Sequence, residues 1–296
     1  MALIIVLLAL GLVQIWGSGG PLQWDGWFYR WRAWLQGLGA LNSRAGLAFG
    51  ITILLPVIAA AFLLALADGV LGSFGVLLVS VPLLLYSLGR GQFNESLAKY
   101  LRAWYQGDLE AASIHAQALL SEGDRLEVDD ASSLHNRVFR AAAYRAFERL
   151  FAVLFWFLLL GIPGALLYRL SRLTLAGGGD DQVIENRPLA ERWLWLLEWL
   201  PVRVLGFSLA VVGNFAGCYR AWRQHLTCGE TTTADVLENY LEGALGGIDA
   251  SECSAGAVVS ESQRSCGAQL EALQGLLSRA LLMWITMLAL YTIFGN

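Results

Sequence analysis

The sequence predicts an all-α polytopic membrane protein. Several long stretches, including residues 47–66, 69–88, 150–168 and 280–294, contain no Lys, Arg, Asp or Glu. A helix needs about 20 apolar residues to cross the hydrocarbon of a bilayer, and its backbone groups must pair within the segment. The composition agrees, with 56% hydrophobic and 15% charged residues and a mean hydropathy of +0.54. We therefore expect about five or six membrane helices, with amphipathic interfacial and cytoplasmic helices between them.

The first apolar run, residues 2–16, has no basic residue before it and no clear small-residue cleavage site. We interpret it as a retained membrane helix rather than a secretory signal. Arg30, Arg32 and Arg44 follow it, and Lys and Arg concentrate on the cytoplasmic side of membrane helices, so the N-terminus is expected in the periplasm. Apolar and aromatic residues recur at helical spacing over 22–35, which is typical of a helix in the headgroup plane.

A very short link, Asp68 and Gly69, joins the apolar runs 47–66 and 69–88 and predicts an antiparallel helical hairpin. The polar region that follows contains eight of the twenty Lys and Arg residues, which places it in the cytoplasm. The chain is thus divided into 1–88 with three membrane helices and a Trp-rich interfacial helix, polar helices at 89–149, a membrane core at 150–217, an acidic Cys-containing region at 218–278, and a C-terminal membrane helix at 279–296. The side of the membrane that 169–278 faces is left open.

All four cysteines lie in the acidic region: Cys218, Cys228, Cys253 and Cys266. If that region is periplasmic, two disulfides are expected, with three connectivities open. Four reduced thiols in the cytoplasm are the alternative. A metal site with His225 has poor spacing, because the sequence has no C-x-x-C pair.

Several motifs of soluble enzymes are absent from the sequence. It has no phosphate loop, no G-x-S-x-G elbow, no H-E-x-x-H and no EF-hand loop. The histidines His115, His135 and His225 are scattered, and we expect them to be solvent-facing polar residues. A net charge of −4 argues against a nucleic-acid partner.

Charged residues stand directly at the ends of the membrane core. Arg145, Glu148 and Arg149 precede 150–168, and Glu198, Pro201 and Arg203 begin the next apolar run. Ionisable groups at such depth are costly unless they are paired or face a polar cavity, so they predict a buried network. That network is either an Arg–Glu pair that fastens two helices together or a ligand site.

The same region carries a family resemblance. Residues 144–156, 159–169 and 198–203, with their Trp-Leu-Pro-Val-Arg sequence, resemble the membrane superfamily that includes the cobalamin-pathway synthase CobD/CbiB. With its length and N-terminal layout, the chain most resembles the AmpE branch, inner-membrane proteins associated with control of β-lactamase induction. The resemblance covers most of the chain, and its specific part lies at about 135–215. Its structural motif comprises Gly161, Pro163, Gly164, Trp199 and Pro201.

Acidic residues of the synthases are replaced at several positions. Where the synthases have a Glu-Asn pair and an Asp, this chain has Tyr144, Arg145 and Glu148. Residues 172–175 replace a polar Asn-Thr-x-x-Asp, and 194–195 replace an Asp-Asp. Carboxyl activation with a nucleotide requires acidic ligands for magnesium. The departures therefore argue against formation of the cobalamin amide bond, and we expect no cofactor.

The resemblance implies a regulatory protein of the bacterial inner membrane, linked to β-lactamase induction and to signalling by cell-wall fragments. Its expected site is a polar pocket at the membrane face, formed by Arg145, Glu148, Arg149, Arg169 and Arg203. Arginine suits an anionic cell-wall metabolite because its planar fork binds carboxylate and phosphate bidentately. Glu148 is expected to orient those arginines in the empty state. The bilayer is a further partner, and a homo-oligomer is left open.

Two functions from other classes stay open. A membrane-embedded ATP-dependent amide-forming enzyme requires an acidic magnesium site, for which the candidates are Glu148, Asp180, Asp181 and Glu185. A small-molecule transporter requires polar residues within several spans, for which the hairpin offers Thr52, Ser73 and Ser80.

Overall fold

A computed structural model gives the fold and describes residues 1–16, 24–37, 45–89, 93–117, 119–120, 131–176, 187–226, 231–246 and 259–294. Every regular element in these ranges is helical, so the predicted all-α class is confirmed. Over the same ranges, three helices are long and apolar enough to cross a membrane: Gly46–Ser87, Arg187–Val212 and Cys266–Phe294. Ala2–Ile15 is a shorter apolar helix. The protein is a membrane protein, and many Leu, Ile and Phe side chains of its apolar helices are exposed.

The helices of the described part, in chain order, are α1 Ala2–Trp16, α2 Gly26–Gly37, α3 Ala45–Ser87, α4 Phe93–Gln106, α5 Leu109–Gln117, α6 Ala131–Ala146, α7 Ala152–Leu160, α8 Ile162–Leu175, α9 Arg187–Val212, α10 Phe215–His225, α11 Thr233–Leu245 and α12 Val259–Phe294. A π-helical turn, Phe147–Phe151, joins α6 to α7 without a break. The chain forms two compact units. The first unit comprises Met1–Gly91 and Arg149–Glu198, and the second comprises Gln92–Glu148 and Trp199–Asn296.

The hairpin predicted in 47–88 is present, but its reversal lies at Gly72 instead of Asp68 and Gly69. Gly72 has φ 57° and ψ −146°, a backbone region that is essentially restricted to glycine. A Cβ on Gly75 would collide with the carbonyl oxygen of Ala67, so the two arms touch directly after the turn. The predicted position of the turn is wrong because Gly69, Gly72 and Gly75 are spaced by three residues, and the sequence does not show which of them forms the turn.

A second reversal of the same form lies at Gly161, between α7 and α8. Its φ of 71° and ψ of −156° match those of Gly72. A Cβ on Gly164 would collide with the carbonyl oxygen of Trp156. The prediction of one continuous helix over 150–168 is therefore wrong, since Gly161 breaks it. The spacing is the same as in the first hairpin. In both, the residue five positions before the turn glycine contacts the residue three positions after it.

Prolines in α3 and α9 leave backbone carbonyls that tryptophans satisfy. Proline has no N–H, so the carbonyl four residues earlier loses its helical donor. Pro56 frees the carbonyl of Thr52, and the Trp31 indole donates to that oxygen at 3.3 Å. In α9, the Trp156 indole donates to the Leu197 carbonyl at 3.0 Å. The contact from Trp31 fixes α2 against α3.

His135 lies in the buried core of the second unit, not in solvent. Its side chain is 0% exposed, its ring packs beside Trp104, and its Nε2 lies 3.1 Å from Oε1 of Gln269. Burial lowers the pKa of His135 to about 4, because a charged imidazolium loses its hydration there. The expectation of a solvent-facing residue overlooked that His135 follows Leu134 on the buried face of α6.

The cysteines do not form the two predicted disulfides. Cys218 is a buried free thiol that donates to the Gly206 carbonyl at 3.4 Å, and burial raises its pKa to about 11. Cys266 is disulfide-bonded, so the alternative of four reduced thiols is wrong as well. Cys228 and Cys253 lie outside the described residues.

Candidate functional site

An ion pair in the first unit joins α2 to α8. Asp25 lies immediately before α2, and Nη2 of Arg169 donates to its two carboxylate oxygens at 3.2 and 3.0 Å. Both side chains are largely shielded, with 19% of Asp25 and 15% of Arg169 exposed. A pair at this depth is screened less by salt than an exposed pair. The contact therefore anchors the start of α2 to α8.

Tyr86, near the end of α3, lies against this ion pair. Its ring centroid is 6.0 Å from the guanidinium carbon of Arg169, within the range of a cation–π contact. The hydroxyl is close to the Asp25 carboxylate, yet no described residue meets the distance and angle of a hydrogen bond with it. Tyr86 is 7% exposed, and a buried hydroxyl without a partner costs free energy. The hydroxyl is thus available to an additional polar group.

Gly89 brings a second arginine to the same place. Nη2 of Arg149 donates to the Gly89 carbonyl at 3.4 Å. A Cβ on Gly89 would lie 3.2 Å from Nη1 of Arg169, and the φ of +70° also favours glycine. Arg149 and Arg169 therefore converge on one backbone segment at the end of α3. We refer to Asp25, Tyr86, Gly89, Arg149 and Arg169 as the Arg169 cluster.

A cavity of about 490 Å³ adjoins the cluster. It lies between the two arms of α3 and is bounded by α2 and α8. Trp27, Trp31, Leu83 and Leu166 make its wall apolar, and Tyr86 is the member that it shares with the Arg169 cluster. The cavity has the size and the mainly apolar lining of small-molecule sites.

A buried carboxylate lies elsewhere in the first unit. Glu198 is 2% exposed, and the Tyr168 hydroxyl donates to its Oε1 at 3.0 Å. Nearby on the same helices, the Trp193 indole donates to the Ser171 hydroxyl at 2.9 Å. These polar contacts join α8 to α9 and explain how a carboxylate is tolerated in an apolar run.

Arg203, in the second unit, donates to backbone carbonyls with all three nitrogens. Nη1 contacts the Trp199 oxygen at 2.8 Å, while Nη2 and Nε contact those of His225 and Leu226 at 3.0 Å each. His225 ends α10, so the guanidinium caps the negative end of that helix. The guanidinium carbon also lies 4.1 Å from the centre of the Trp199 ring. This geometry gives Arg203 a structural role in the second unit.

The predicted five-residue pocket is thus distributed over both units. Arg149 and Arg169 meet in the first unit. In the second unit, Arg145 donates to the Leu120 carbonyl at 2.8 Å, and Glu148 lies in the π-helical turn. The candidate magnesium ligands Asp180, Asp181 and Glu185 lie outside the described residues.

Asp25 and Tyr86 were absent from the sequence-based candidates. Asp25 is 144 residues from Arg169, and no local pattern links the two. Tyr86 ends an apolar run, where an aromatic residue usually marks the membrane interface. Glu198 did carry a signal, because it is an ionisable residue within an otherwise apolar segment.

Comparison with known proteins gives the family. A family model described as "Regulatory signalling modulator protein AmpE" matches residues 1–246. The chain is also 28% identical over 172 residues to the cobalamin biosynthesis protein CobD of Chromobacterium violaceum, covering 57% of this chain and 54% of that protein. It is 29% identical over 203 residues to the CobD protein of Stutzerimonas stutzeri, covering 65% of this chain and 62% of that protein.

The chain thus spans about three fifths of the length of these curated relatives, or less. No solved structure matches it significantly. The family match includes both helical hairpins, the Arg169 cluster and the motif around Arg203. The chain therefore belongs to the AmpE family of regulatory signalling modulator proteins.

Proposed function

We propose that the protein is a signalling protein of the bacterial inner membrane, with its N-terminus in the periplasm, that modulates β-lactamase induction by sensing an anionic cell-wall fragment. Family membership supports a regulatory role in a membrane. The observation that carries the sensing step is the ion pair between Asp25 and Arg169. By sensing such a fragment, the protein would connect peptidoglycan recycling to β-lactamase induction and so to antibiotic resistance.

Asp25 acts as an internal occupant of an anion site. The Arg169 guanidinium holds a carboxylate, which is also the chemical group of peptide-bearing cell-wall fragments. A fragment carboxylate or phosphate that takes the place of Asp25 frees the start of α2. Arg149, which meets Arg169 at Gly89, supplies a second guanidinium beside the incoming anion.

Release of α2 is the signal in this proposal. The helix is held by the Asp25 ion pair, the Trp31 indole bond and a 3.3 Å bond from Arg32 to the Thr174 carbonyl. Loss of the ion pair removes one of these contacts and lowers the free energy needed to move α2 away from the core in which Phe28 is buried. A ligand shifts the two-state equilibrium only by its differential affinity, so replacing Asp25 is what couples binding to the movement.

A reporter of β-lactamase induction tests the proposal in cells that lack the native protein and carry variants. Arg169→Gln should abolish the dependence of induction on the protein. Asp25→Asn, which frees Arg169, should shift the dose of inducer needed. Arg187→Gln is the matched control, because its ion pair with Glu191 is exposed and lies within one helix. Wild-type induction in Arg169→Gln, at equal protein level, contradicts the proposal.

A second candidate function is an ATP-dependent amide-forming enzyme, favoured by the CobD relatives. Purified protein would then cleave ATP in the presence of magnesium, a carboxylic acid and an amine, and would release the amide as the second product. Glu148→Gln should abolish this turnover, whereas the regulatory proposal predicts none.

A further inference from the structure

The cavity beside the Arg169 cluster has an apolar body and one polar end. Trp27 and Trp31 from α2 and Leu166 from α8 line the body. The polar end is Tyr86, which lines the cavity and also belongs to the Arg169 cluster. The Tyr86 hydroxyl and, in the cluster, the Nε of Arg169 are buried and have no hydrogen-bond partner among the described residues. A molecule with an apolar chain and a polar head satisfies both parts at once.

The cavity is reached from the apolar outer surface of α3. Leu55 lines the cavity, yet about half of its side chain is exposed. Its neighbour Ile58 is 65% exposed and lies in the candidate membrane span Gly46–Ser87. An exposed apolar surface on a membrane helix contacts lipid hydrocarbon. A chain from the bilayer therefore enters without crossing water.

We propose that the cavity binds one apolar chain of a lipid with a phosphate head, and that the head competes with Asp25 for Arg169. The inference rests on the proposed anion site and names a membrane lipid as its ligand. Tyr86 donates its free hydroxyl to the head, and Arg169 supplies the positive charge. The chain packs against Trp27 and Trp31, so the ligand contacts α2 through its chain and α3 and α8 through its head.

A photoreactive lipid tests this proposal. The full-length protein is placed in phosphatidylcholine nanodiscs with phosphatidic acid that carries a diazirine in its acyl chain, and labelled peptides are identified by mass spectrometry. Peptides containing Trp27, Leu55 or Leu83 should be labelled. Phosphatidylcholine with the same diazirine chain should label them at least about fivefold less, because choline balances the charge of its phosphate and the head has no net negative charge with which to replace Asp25.

Two variants and a matched control separate cavity binding from contact with bulk lipid. Ala59→Trp fills the cavity, and Arg169→Gln removes the cation, so each should reduce cavity labelling at least about fivefold. Ala65→Trp adds the same side chain to an exposed position of α3 outside the cavity lining and should leave labelling unchanged. Tyr86→Phe, which keeps the ring and removes the hydroxyl, should reduce labelling by about threefold. This variant provides the test if Ala59→Trp does not fold.

The outcomes distinguish this inference from the proposed function. Equal labelling by both lipids, or labelling that Ala59→Trp and Tyr86→Phe leave unchanged, overturns the lipid site. If either of these results is found and Arg169→Gln still abolishes the dependence of induction on the protein, the signal is a soluble anion and the proposed function stands without the lipid site. Glycerol 3-phosphate has the head of phosphatidic acid without its acyl chains. If it prevents labelling at the same concentration as the lipid, the chain contributes no binding free energy, and the lipid assignment is overturned.

Discussion

The indole of Trp156 donates to the carbonyl of Leu197 at 3.0 Å, and this carbonyl is the one that Pro201 leaves without a helical donor. Trp156 of α7 therefore supplies the donor that the Leu197 carbonyl of α9 lacks. The same solution occurs at Pro56, where Trp31 donates to Thr52. Tryptophans of this chain thus repair backbone bonds, beyond any role at the membrane interface.

Trp156→Phe should lower the free energy of unfolding by about 1–3 kcal/mol, because the Leu197 carbonyl loses its donor in an apolar setting. In a Pro201→Ala background the loss should be smaller, since the alanine N–H supplies the helical bond. Thermal unfolding in detergent measures both effects. Trp34→Phe, at an exposed position, is the control and should have little effect. Equal losses in both backgrounds would show that the indole bond is unrelated to the proline.

Gly72→Ala and Gly161→Ala should each destabilise the protein by about 1–3 kcal/mol, because both backbones lie in a region that side chains avoid. Gly50→Ala is the control, since a Cβ there meets nothing within 4 Å and the φ is ordinary. It should be neutral or slightly stabilising. Unfolding midpoints measured in the same detergent give the comparison. Gly161→Ala at the wild-type midpoint would contradict the sharp reversal between α7 and α8.

Arg203→Gln should reduce stability by about 2–4 kcal/mol, because a buried guanidinium that caps α10 is removed. Arg203→Lys should restore little of it, since an ammonium cannot reach three carbonyls in one plane. Unfolding of purified variants provides the measurement. Full rescue by lysine would mean that charge alone, and not the carbonyl geometry, stabilises the site.

Coupling between Glu148 and Arg203 remains a prediction. Glu148→Gln and Arg203→Gln should each impair stability, and the double variant should lose less than the sum of the two. A double-mutant cycle on unfolding free energies measures the difference. Strict additivity would show that the two residues do not interact.

Acidification should destabilise the second unit through His135. Its pKa of about 4 in the folded state lies below the ordinary value near 6.5, so the unfolded chain binds more protons between these two pH values. Stability therefore falls as the pH is lowered from about 6.5 to about 4, by at most about 3 kcal/mol. His135→Gln should flatten this part of the pH profile, and His115→Gln should not. An unchanged slope in His135→Gln would contradict the burial of a neutral imidazole.

Residues 89–149 are expected in the cytoplasm. A cysteine at Ser113, in a chain whose four native cysteines are replaced, should resist an impermeant thiol reagent applied to intact cells. Permeabilised cells provide the positive control. Ready labelling in intact cells would reverse the orientation of the membrane helices.

Local patterns predicted much of the fold. Apolar runs without charges predicted the membrane helices, and the family motif pointed to Gly161 and Arg169. The position of the first reversal could not be predicted, because three glycines at equal spacing offer equivalent turns. The ion pair of Asp25 with Arg169 depends on packing between distant segments, and nothing in their sequence neighbourhoods encodes it. The structural role of Arg203 could not be predicted, because its partners are backbone carbonyls such as that of His225. Every residue has a backbone carbonyl, so no sequence pattern identifies these partners.

A distance measurement between α2 and α3 tests whether displacement of Asp25 from Arg169 releases α2. Spin labels at Ala33 and Leu54, both exposed, report the distance by pulsed electron paramagnetic resonance in nanodiscs. Muropeptides from digested peptidoglycan should produce a second, longer distance population. Asp25→Asn should produce it without ligand, whereas Arg187→Gln should not. A single unchanged population in Asp25→Asn and with muropeptides would contradict the release of α2.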